Sequence, residues 1–387
     1  MKVYMDHGAG RPVDPQVLEE MTPYFSQSYG NPSSFHGLGF EAIKAVNLAR
    51  GQVASLIGAE EQEIAFTSSA TESNNLGIGG AARRYKKRGN RVLLSSIEHI
   101  SALNVGKELY REGFKIDYIP VDQEGILDLG ELERLIDDKT VLVSVMAANG
   151  EIGTIQPINE AGQIAHDHGA LFHTDATAAA GQIELDVGEG IDLMTLSSND
   201  IYGPKGVGAL YIKEMIRVKP LILGGGQERG IRSGSENVPG IVGMGEAAKL
   251  AAQEMEDESG RLTRLRDRLI EGVLESVPEA YLNGHRTKRL PNNANIRFSY
   301  IEGEGLILSL DQLGIQVSSG SACTAKTLQP SHVLRAIGLK HEEAHGSLVY
   351  TLGKSNREEH IEYVVQKMPE VVGRLRSMSP LTPEELR

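Results

Sequence analysis

The sequence predicts an α/β fold with a mostly parallel sheet and a second, smaller α/β unit. Short apolar runs alternate with helical patterns from about residue 40 to about residue 255. Strands that are separated by helices form βαβ units, in which neighbouring strands run parallel. Glycine contributes 44 of the 387 residues, and many of these stand at the expected turns between strands and helices. A chain of this length suits one large domain with a smaller one.

Six short apolar runs predict the strands of the large domain. They cover residues 63–67, 91–95, 115–120, 141–147, 170–174 and 192–196. Amphipathic patterns between them predict helices over residues 40–57, 76–87 and 158–168. Binding sites in parallel sheets form in the loops that follow the carboxyl ends of the strands. Thr71, Asn149, Asp175 and Asp200 follow predicted strands in this way and are the first candidates for a functional site.

The remainder of the chain predicts the smaller unit. Residues 236–277 form a long, charged helical pattern that leads out of the large domain. Strands predicted at 295–299, 315–318 and 348–352, with helices at 304–313 and 357–372, complete this unit. We therefore expect a large domain over residues 15–255 and a small domain made of residues 1–14 and 256–387. Residues 374–387 are expected to form a polar tail.

Composition and charge argue against several classes of function. A net charge of −13 disfavours nucleic acid or an anionic membrane as the main partner. The sequence has neither an apolar run long enough to span a bilayer nor a signal-peptide core, so we expect a soluble, cytoplasmic protein. Cys323 is the only cysteine, which excludes a disulfide within the chain. Its small polar neighbours, Ser318-Ser-Gly-Ser-Ala-Cys323-Thr-Ala, favour an exposed loop thiol over a buried one.

The junction Phe66-Thr-Ser-Ser-Ala70-Thr71-Glu72 predicts either a phosphate site or an ordinary helix cap. Free N–H groups and the helix dipole at such a junction favour a bound phosphate. The hydroxyl groups would serve an N-cap equally well. The local pattern leaves both interpretations open. For Asp175, helix capping is the alternative to a cofactor contact, and for His99 the alternative is a structural role.

The segment Thr195-Leu-Ser-Ser-Asn-Asp200-Ile-Tyr-Gly-Pro-Lys205 closely resembles the cofactor-lysine segment of cysteine desulfurases of the IscS/NifS type. Those proteins are pyridoxal phosphate (PLP) enzymes of the class V aminotransferase family. Tyr29-Gly-Asn-Pro-Ser-Ser, residues 149–153, residues 224–229 and the Cys323 loop match in family order and at family spacing. The resemblance runs nearly end to end. It implies the PLP-dependent transferase fold of type I, with a seven-stranded type of sheet, and a homodimer.

Seven residues match positions at which the family contacts PLP: Ala70, Thr71, His99, Asp175, Ser197, Asn199 and Ser235. By resemblance, Ala70 and Thr71 cradle the phosphate. Ser197 matches a further phosphate contact, and Ser235 matches one that comes from the partner subunit. His99 matches the imidazole that stacks on the pyridine ring, and Asp175 matches the carboxylate that pairs with the ring nitrogen.

Five residues depart from the family's pattern on the cofactor and substrate faces: Gly150, Ala178, Asn199, Asp200 and Val349. Asp200 stands in the place of the lysine that forms the Schiff base, and a carboxylate cannot form one. Val349 stands in the place of the arginine that orients the substrate carboxylate. Lys205 matches a second lysine of the family, which favours a structural role over replacement of the first. The sequence therefore predicts no covalent PLP and leaves noncovalent PLP open.

The resemblance implies a role in iron–sulfur cluster assembly. We expect Cys323 to act as a persulfide carrier or as a cluster ligand at the interface with an IscU-like scaffold protein. One alternative is an active PLP-dependent cysteine desulfurase or an altered PLP lyase, and another is an inactive dimerisation partner of an active paralogue. His341-Glu-Glu-Ala-His345 matches a zinc-protease pattern, which needs a helix to bring both imidazoles to one face. Its place between Gly338 and Gly346, without an evident third ligand, favours a polar turn.

Overall fold

The computed structural model describes residues 1–319 and 330–386. The strands are β1 (Val3–Tyr4), β2 (Ile64–Thr67), β3 (Arg91–Ser95), β4 (Lys115–Ile119), β5 (Thr140–Ser144), β6 (Leu171–Asp175), β7 (Leu193–Ser197), β8 (Gly208–Ile212), β9 (Ala280–Asn283), β10 (Asn293–Phe298), β11 (Ile315–Gln316) and β12 (Ser347–Thr351). The α-helices are α1 (Pro15–Met21), α2 (Pro23–Ser26), α3 (Gly37–Leu56), α4 (Ala70–Asn74), α5 (Ala81–Tyr85), α6 (Ile100–Arg111), α7 (Leu129–Leu135), α8 (Ile158–Asp167), α9 (Val238–Ser276), α10 (Gly303–Gln312), α11 (His332–Ala336), α12 (His341–His345) and α13 (Glu358–Met378).

The large sheet has seven strands in the order β2-β8-β7-β6-β5-β3-β4. Strand β8 runs antiparallel to both of its neighbours, and the other pairings in the sheet are parallel. The prediction of a mostly parallel sheet is therefore confirmed. The six predicted strands form close to their predicted bounds, and the one predicted over residues 141–147 ends earlier, at Ser144. Strand β8 was not predicted, because its apolar residues follow β7 without an intervening helix.

Both faces of the large sheet are buried, which explains its continuous apolar strands. Along β3, Leu93 packs into the apolar cluster that also contains residues of α3 and α9. Its neighbours Val92 and Leu94 point to the opposite face and pack with residues of α5 and α6. Successive side chains of a strand alternate between faces, so each strand contributes to both clusters. The sheet therefore lies between two helical layers.

The smaller unit contains the antiparallel sheet β12-β10-β9 and the parallel pair β1–β11. Its apolar cluster combines Val3 and Met5 from the N-terminal segment with residues of α9, α10 and α13. Helix α9 runs unbroken from Val238 to Ser276 and contributes to the cores of both units. The proposed boundary near residue 255 thus falls inside one continuous helix.

Two local predictions were wrong. The helix predicted over residues 76–87 is interrupted, because residues 75–80 form a π-helical stretch between α4 and α5. Residues 374–378 are not a tail, because α13 continues to Met378. Arg376 in this last turn is only 2% exposed, and its guanidinium donates hydrogen bonds to the carbonyl oxygens of Pro278, Glu279 and Ser299. Across residues 1–319 and 330–386, no helix has the length and apolar character that a membrane crossing requires.

Candidate active site

A chain of hydrogen bonds joins Asp175, at the carboxyl end of β6, to His99, at the start of α6. The Asn74 side-chain amide donates to Asp175 Oδ2 at 2.6 Å and to Ser101 Oγ at 2.9 Å. His99 Nδ1 lies 2.7 Å from Ser101 Oγ and accepts the Ser101 backbone N–H at 3.2 Å. Nδ1 is therefore the acceptor of the imidazole, and its proton lies on Nε2. The structure brings two predicted site residues together through Asn74 and Ser101, which sequence reasoning missed.

His99 performs the structural role that the sequence left open for it, because its side chain caps α6. Asp175 caps no helix, since none begins between β6 and β7; its Oδ1 accepts the Thr177 backbone N–H at 2.9 Å within a turn. His173, two residues before Asp175 on β6, is buried between Ser144 and Thr195. Burial lowers the pKa of His173 to about 4, although the nearby Asp175 carboxylate opposes this shift. His173 is consequently neutral near pH 7. It therefore supplies no positive charge to hold the Asp175 carboxylate in place.

Asp200 lies just beyond the carboxyl end of β7, in a short 3-10 turn. The Ser197 and Asn199 side chains act on its carboxyl group. Burial raises the pKa of Asp200, with Asp175 acting in the same direction, while Arg11 and the polar side chains of Ser197 and Asn199 lower it. Three of the predicted site residues, Asp175, Ser197 and Asn199, therefore act on Asp200 directly.

Arg11 is a site residue that the sequence did not reveal. It is only 4% exposed, and its guanidinium carbon lies 5.0 Å from the centre of the Tyr202 ring. Its backbone N–H donates to Asn199 Oδ1 at 3.4 Å, and its carbonyl oxygen accepts from Lys205 Nζ at 3.0 Å. The N-terminal segment thus contacts the Asp200 turn at several points. Because Lys205 is exposed and bonded to Arg11, its position agrees with a structural role.

The start of α4 combines a helix cap with free amide groups. Ser69 Oγ accepts the Glu72 backbone N–H at 3.2 Å, so Ser69 is the cap residue. The backbone N–H groups of Ala70 and Thr71 donate no hydrogen bond to any residue in the described ranges. The helix cap is therefore present, and the phosphate site stays a prediction, for which the cap leaves two donors at the positive end of the helix.

Ser235 lies in a segment that contacts the start of α4 within the same chain. Arg232 Nε donates to Glu72 Oε1 at 3.0 Å, while Ser235 itself is exposed. The role of Ser235 as a phosphate contact from a partner subunit stays a prediction.

Three further residues were predicted to depart from the family's pattern: Gly150, Ala178 and Val349. A Cβ atom built on Gly150 would lie 3.4 Å from the Ala178 Cβ, so these two small residues face each other. Val349, on β12, exchanges backbone hydrogen bonds with Ser318 at 2.7 and 3.3 Å.

Cys323, predicted as the catalytic residue and as a metal ligand, lies outside the described residues. Its roles stay predictions.

The zinc-protease pattern does form a helix, α12, and not the polar turn that its flanking glycines favoured. The ring centres of His341 and His345 lie 4.5 Å apart. Within residues 1–319 and 330–386, no group of three or more histidine, cysteine, aspartate or glutamate side chains is arranged to hold a metal ion. No third ligand therefore accompanies this histidine pair in the described part of the chain.

This fold agrees with comparisons to known proteins. Residues 3–364 match the family model described as aminotransferase class-V. The chain is 56% identical over 379 residues to "Cysteine desulfurase IscS 1" of Archaeoglobus fulgidus, covering 98% of this chain and 99% of the relative. It is 50% identical to "Cysteine desulfurase IscS" of Methanosarcina thermophila, covering 100% of this chain and 95% of the relative.

A solved structure titled "NIFS-LIKE PROTEIN" superposes with a TM-score of 0.91 at 39% identity, covering 97% of this chain and 100% of that structure. The chain therefore belongs to the class V aminotransferase family, and it has the PLP-dependent fold of type I.

PLP is the cofactor of this family, and the described residues fit part of it. The free amides of Ala70 and Thr71 suit a phosphate at a helix N-terminus. The Asp175 carboxylate, fixed by Asn74, suits a protonated pyridine nitrogen. When bound, PLP supplies an electron sink. In this chain the Ser197 side chain also acts on Asp200 and lowers its pKa, and its role as a phosphate contact stays a prediction.

Proposed function

We propose that this chain is an iron–sulfur cluster assembly protein in which Cys323 is the working group and the usual PLP chemistry is impaired. Cys323 would carry a persulfide or ligate a cluster at the interface with a scaffold protein of the IscU type. A homodimer would present two such cysteines. Thiolate is the usual protein ligand of iron–sulfur clusters, and one thiolate can complete a set supplied by a partner.

The geometry of Asp200 carries this proposal. In the family's pattern its position belongs to the amine that binds PLP covalently, and here it carries a carboxyl group whose pKa the Ser197 and Asn199 side chains lower. The nearest lysine in sequence, Lys205, is bonded to the Arg11 carbonyl oxygen and is exposed. A carboxyl group cannot form a Schiff base. Covalent attachment of PLP would therefore have no amine at this place, while the cysteine of the family's loop is retained.

Co-purification with a scaffold protein tests the role of Cys323. We expect the complex to carry iron and sulfide with the visible absorbance of a cluster, and Cys323→Ser to reduce the cluster content or to alter its spectrum. A matched Ser309→Ala variant, which changes a buried helix residue elsewhere, should leave the cluster unchanged. If Cys323→Ser leaves both content and spectrum unchanged, Cys323 is not a ligand. Persulfide labelling of the free protein, after treatment with a sulfide donor and oxidant, separates a carrier from a ligand.

A second function, a PLP-dependent cysteine desulfurase or lyase that uses noncovalent PLP, is favoured by the free amides of Ala70 and Thr71. Without the lysine, the exchange of amines on the cofactor is lost, so rates would fall by orders of magnitude. Sulfide release from L-cysteine in the presence of PLP measures this activity directly. Release at a rate that Asp200→Asn abolishes would favour this second function over the first.

A third arrangement, in which the chain is the inactive partner of an active paralogue, would retain the dimer surface without the chemistry. Mixing the two proteins and measuring subunit exchange tests this arrangement. Exchange between different chains would favour it, and exclusive self-association would count against it.

A further inference from the structure

Two histidines on α12 have ring nitrogens that the described part of the chain leaves without a partner. Apart from their contact with each other, the rings of His341 and His345 make no hydrogen bond or ion pair with residues 1–319 or 330–386. Other histidines are engaged, as His166 is by Asp192 at 2.8 Å. The pair on α12 therefore offers free nitrogen donors on neighbouring side chains.

The local sequence builds a helical turn that presents both rings together. Glu343 Oε2 accepts the Lys340 backbone N–H at 2.7 Å, which caps the start of α12. Ala344 is only 7% exposed and packs in the apolar cluster that also contains residues of α11. Residues four apart share one face of a helix, so His341 and His345 lie side by side. His341 is exposed and His345 is partly exposed.

The end of α12 is fixed to β10. A Cβ atom built on Gly346 would collide with the Phe298 carbonyl oxygen, so glycine permits this close approach. The Gly346 carbonyl oxygen in turn accepts the Phe298 backbone N–H at 2.9 Å. The two histidines are therefore held on a short helix that is anchored at both ends, which reduces the entropy lost when they bind one ligand together.

The separation of the two rings suits a shared metal ion. Their centres lie 4.5 Å apart. A metal ion binds an imidazole nitrogen at about 2.0–2.1 Å, and that nitrogen lies about 1.1 Å from the centre of its ring. Two rings on one ion then have centres about 4.5 Å apart for a right angle at the metal, and about 5.2 Å apart for a tetrahedral angle. Rotation about the terminal torsion of each side chain can turn a nitrogen towards the ion.

The charges around the pair neither attract nor repel a cation strongly. The carboxylates of Glu342 and Glu343 are exposed, and Lys340 carries the opposite charge on the same short segment. Arg297 lies close enough to Glu343 for that carboxylate to oppose the lowering of the Arg297 pKa by burial. The surroundings are thus close to neutral, and the imidazoles themselves must supply most of the binding energy.

We propose that His341 and His345 bind one divalent transition-metal ion through both imidazoles, with water in the remaining coordination positions. Imidazole is a favoured ligand of Zn²⁺, Ni²⁺ and Cu²⁺, whereas Mg²⁺ and Ca²⁺ prefer oxygen ligands. No third protein ligand accompanies the pair within residues 1–319 and 330–386, so we assign metal binding to it and no protease activity. This site is separate from the proposed function of the chain.

Calorimetric titration with Zn²⁺ measures the site in the full chain without an affinity tag. Every protein in this series carries Cys323→Ser, because a thiolate is itself a zinc ligand. We expect one Zn²⁺ per chain in this parent protein. His341→Gln and His345→Gln should each weaken binding by at least about ten-fold, since the loss of even an outer partner of a metal site has an effect of this size.

His168→Gln is the matched control and should bind Zn²⁺ as the parent does. His168 is exposed like His341, and its Nδ1 lies 3.0 Å from the Ile164 carbonyl oxygen. Circular dichroism checks the fold of each variant. Because His341 is exposed, His341→Gln keeps the test valid even if a change at the less exposed His345 disturbs the helix.

Electron paramagnetic resonance of bound Cu²⁺ identifies the donors. The parent should show coupling to two imidazole nitrogens, and either single variant should show coupling to no more than one. Equal Zn²⁺ affinity in the parent and in the double variant would overturn the proposal, because the ion would then bind elsewhere. An effect of only one of the two substitutions would also overturn it, since a shared ion needs both rings. None of these measurements involves Cys323, PLP or a scaffold protein, so their failure would leave the proposed function intact.

Discussion

The buried ion pair between Arg50 and Glu228 provides the sharpest stability prediction. Glu228 accepts from Arg50 Nη1 at 2.7 Å and Nη2 at 2.8 Å, and it also accepts the Phe66 backbone N–H at 3.0 Å. The two side chains are only 8% and 2% exposed. The pair fastens the 3-10 turn at Glu228–Gly230 to β2, the strand that leads into α4. It therefore supports both the Ala70–Thr71 junction and the segment that carries Ser235.

Glu228→Gln removes the charge and replaces one of the two acceptor oxygens with a donor. Breaking a buried pair by removing one partner costs about 3–5 kcal/mol, because the other charge stays buried without compensation. Arg50 Nη1 also donates to the Ile64 carbonyl oxygen at 2.8 Å, which retains part of its solvation. We therefore expect the free energy of unfolding to fall by about 3 kcal/mol, the lower end of that range.

Urea unfolding followed by circular dichroism measures this loss, since the chain contains no tryptophan for fluorescence. Glu112→Gln is the matched control, because Glu112 pairs with Arg83 at 2.6 Å where both side chains are partly exposed, at 32% and 22%. The control should lose no more than about 1 kcal/mol. Equal losses in the two variants would refute the argument that burial makes the Glu228 pair the more costly one to break.

Three further predictions follow from the site and its surroundings. Wild-type protein with added PLP should form no borohydride-reducible absorbance, whereas Asp200→Lys should form one; a reducible band in wild type would contradict the proposed role of Asp200. Glu98 and Glu151 have raised pKa values of about 8, so their contribution to stability is complete below about 4.5 and declines as pH rises to about 8. The double variant Glu98→Gln with Glu151→Gln should flatten this slope in urea unfolding, and an unchanged slope would assign it to other groups. Arg376→Ala should lower the free energy of unfolding by roughly 2–4 kcal/mol, because it opens a cavity and unpairs buried carbonyl oxygens; a loss below 1 kcal/mol would favour the tail-like behaviour first expected there.

The sequence predicted the large sheet well because its strands are short, apolar and separated by helices. Strand β3 formed over the residues predicted for it, and the other predicted strands moved by only a few residues. Strand β8 was not predicted, because a strand that pairs antiparallel with the preceding strand needs no helix between the two. Helix α13 was predicted to be too short, because residues 374–387 are polar in composition, whereas Arg376 in its last turn is buried among carbonyl oxygens.

The sequence predicted the candidate-site residues that directly follow a strand. It did not predict residues that lie far away in sequence and reach the site through folding. Asp175 and Asp200 stand at the ends of strands, so local pattern identified them. Arg11 belongs to the N-terminal segment, nearly 190 residues away in sequence from the Asn199 side chain that its backbone N–H contacts. Glu98 and Glu151 were not predicted as site residues, because their raised pKa values come from burial in the folded chain. Such burial follows from tertiary packing and has no signature in the local sequence.

Four of the five residues that we predict to depart from the family's pattern lie in two neighbouring pairs, Gly150 with Ala178 and Asn199 with Asp200, which supports coupled changes over independent ones. Gly150 faces Ala178, so both truncations enlarge the same side of the site. Asn199 Oδ1 accepts the Arg11 backbone N–H, and its side chain lowers the pKa of Asp200, so the proposed replacement of the lysine by Asp200 is accompanied by a connected polar arrangement. Val349 fixes the amino end of the Cys323 segment through its backbone. Burial raises the pKa of Asp200 and so disfavours its charged form. Arg11, Ser197 and Asn199 act in the opposite direction and lower that pKa, which supports the proposal that these surroundings suit an acid at residue 200.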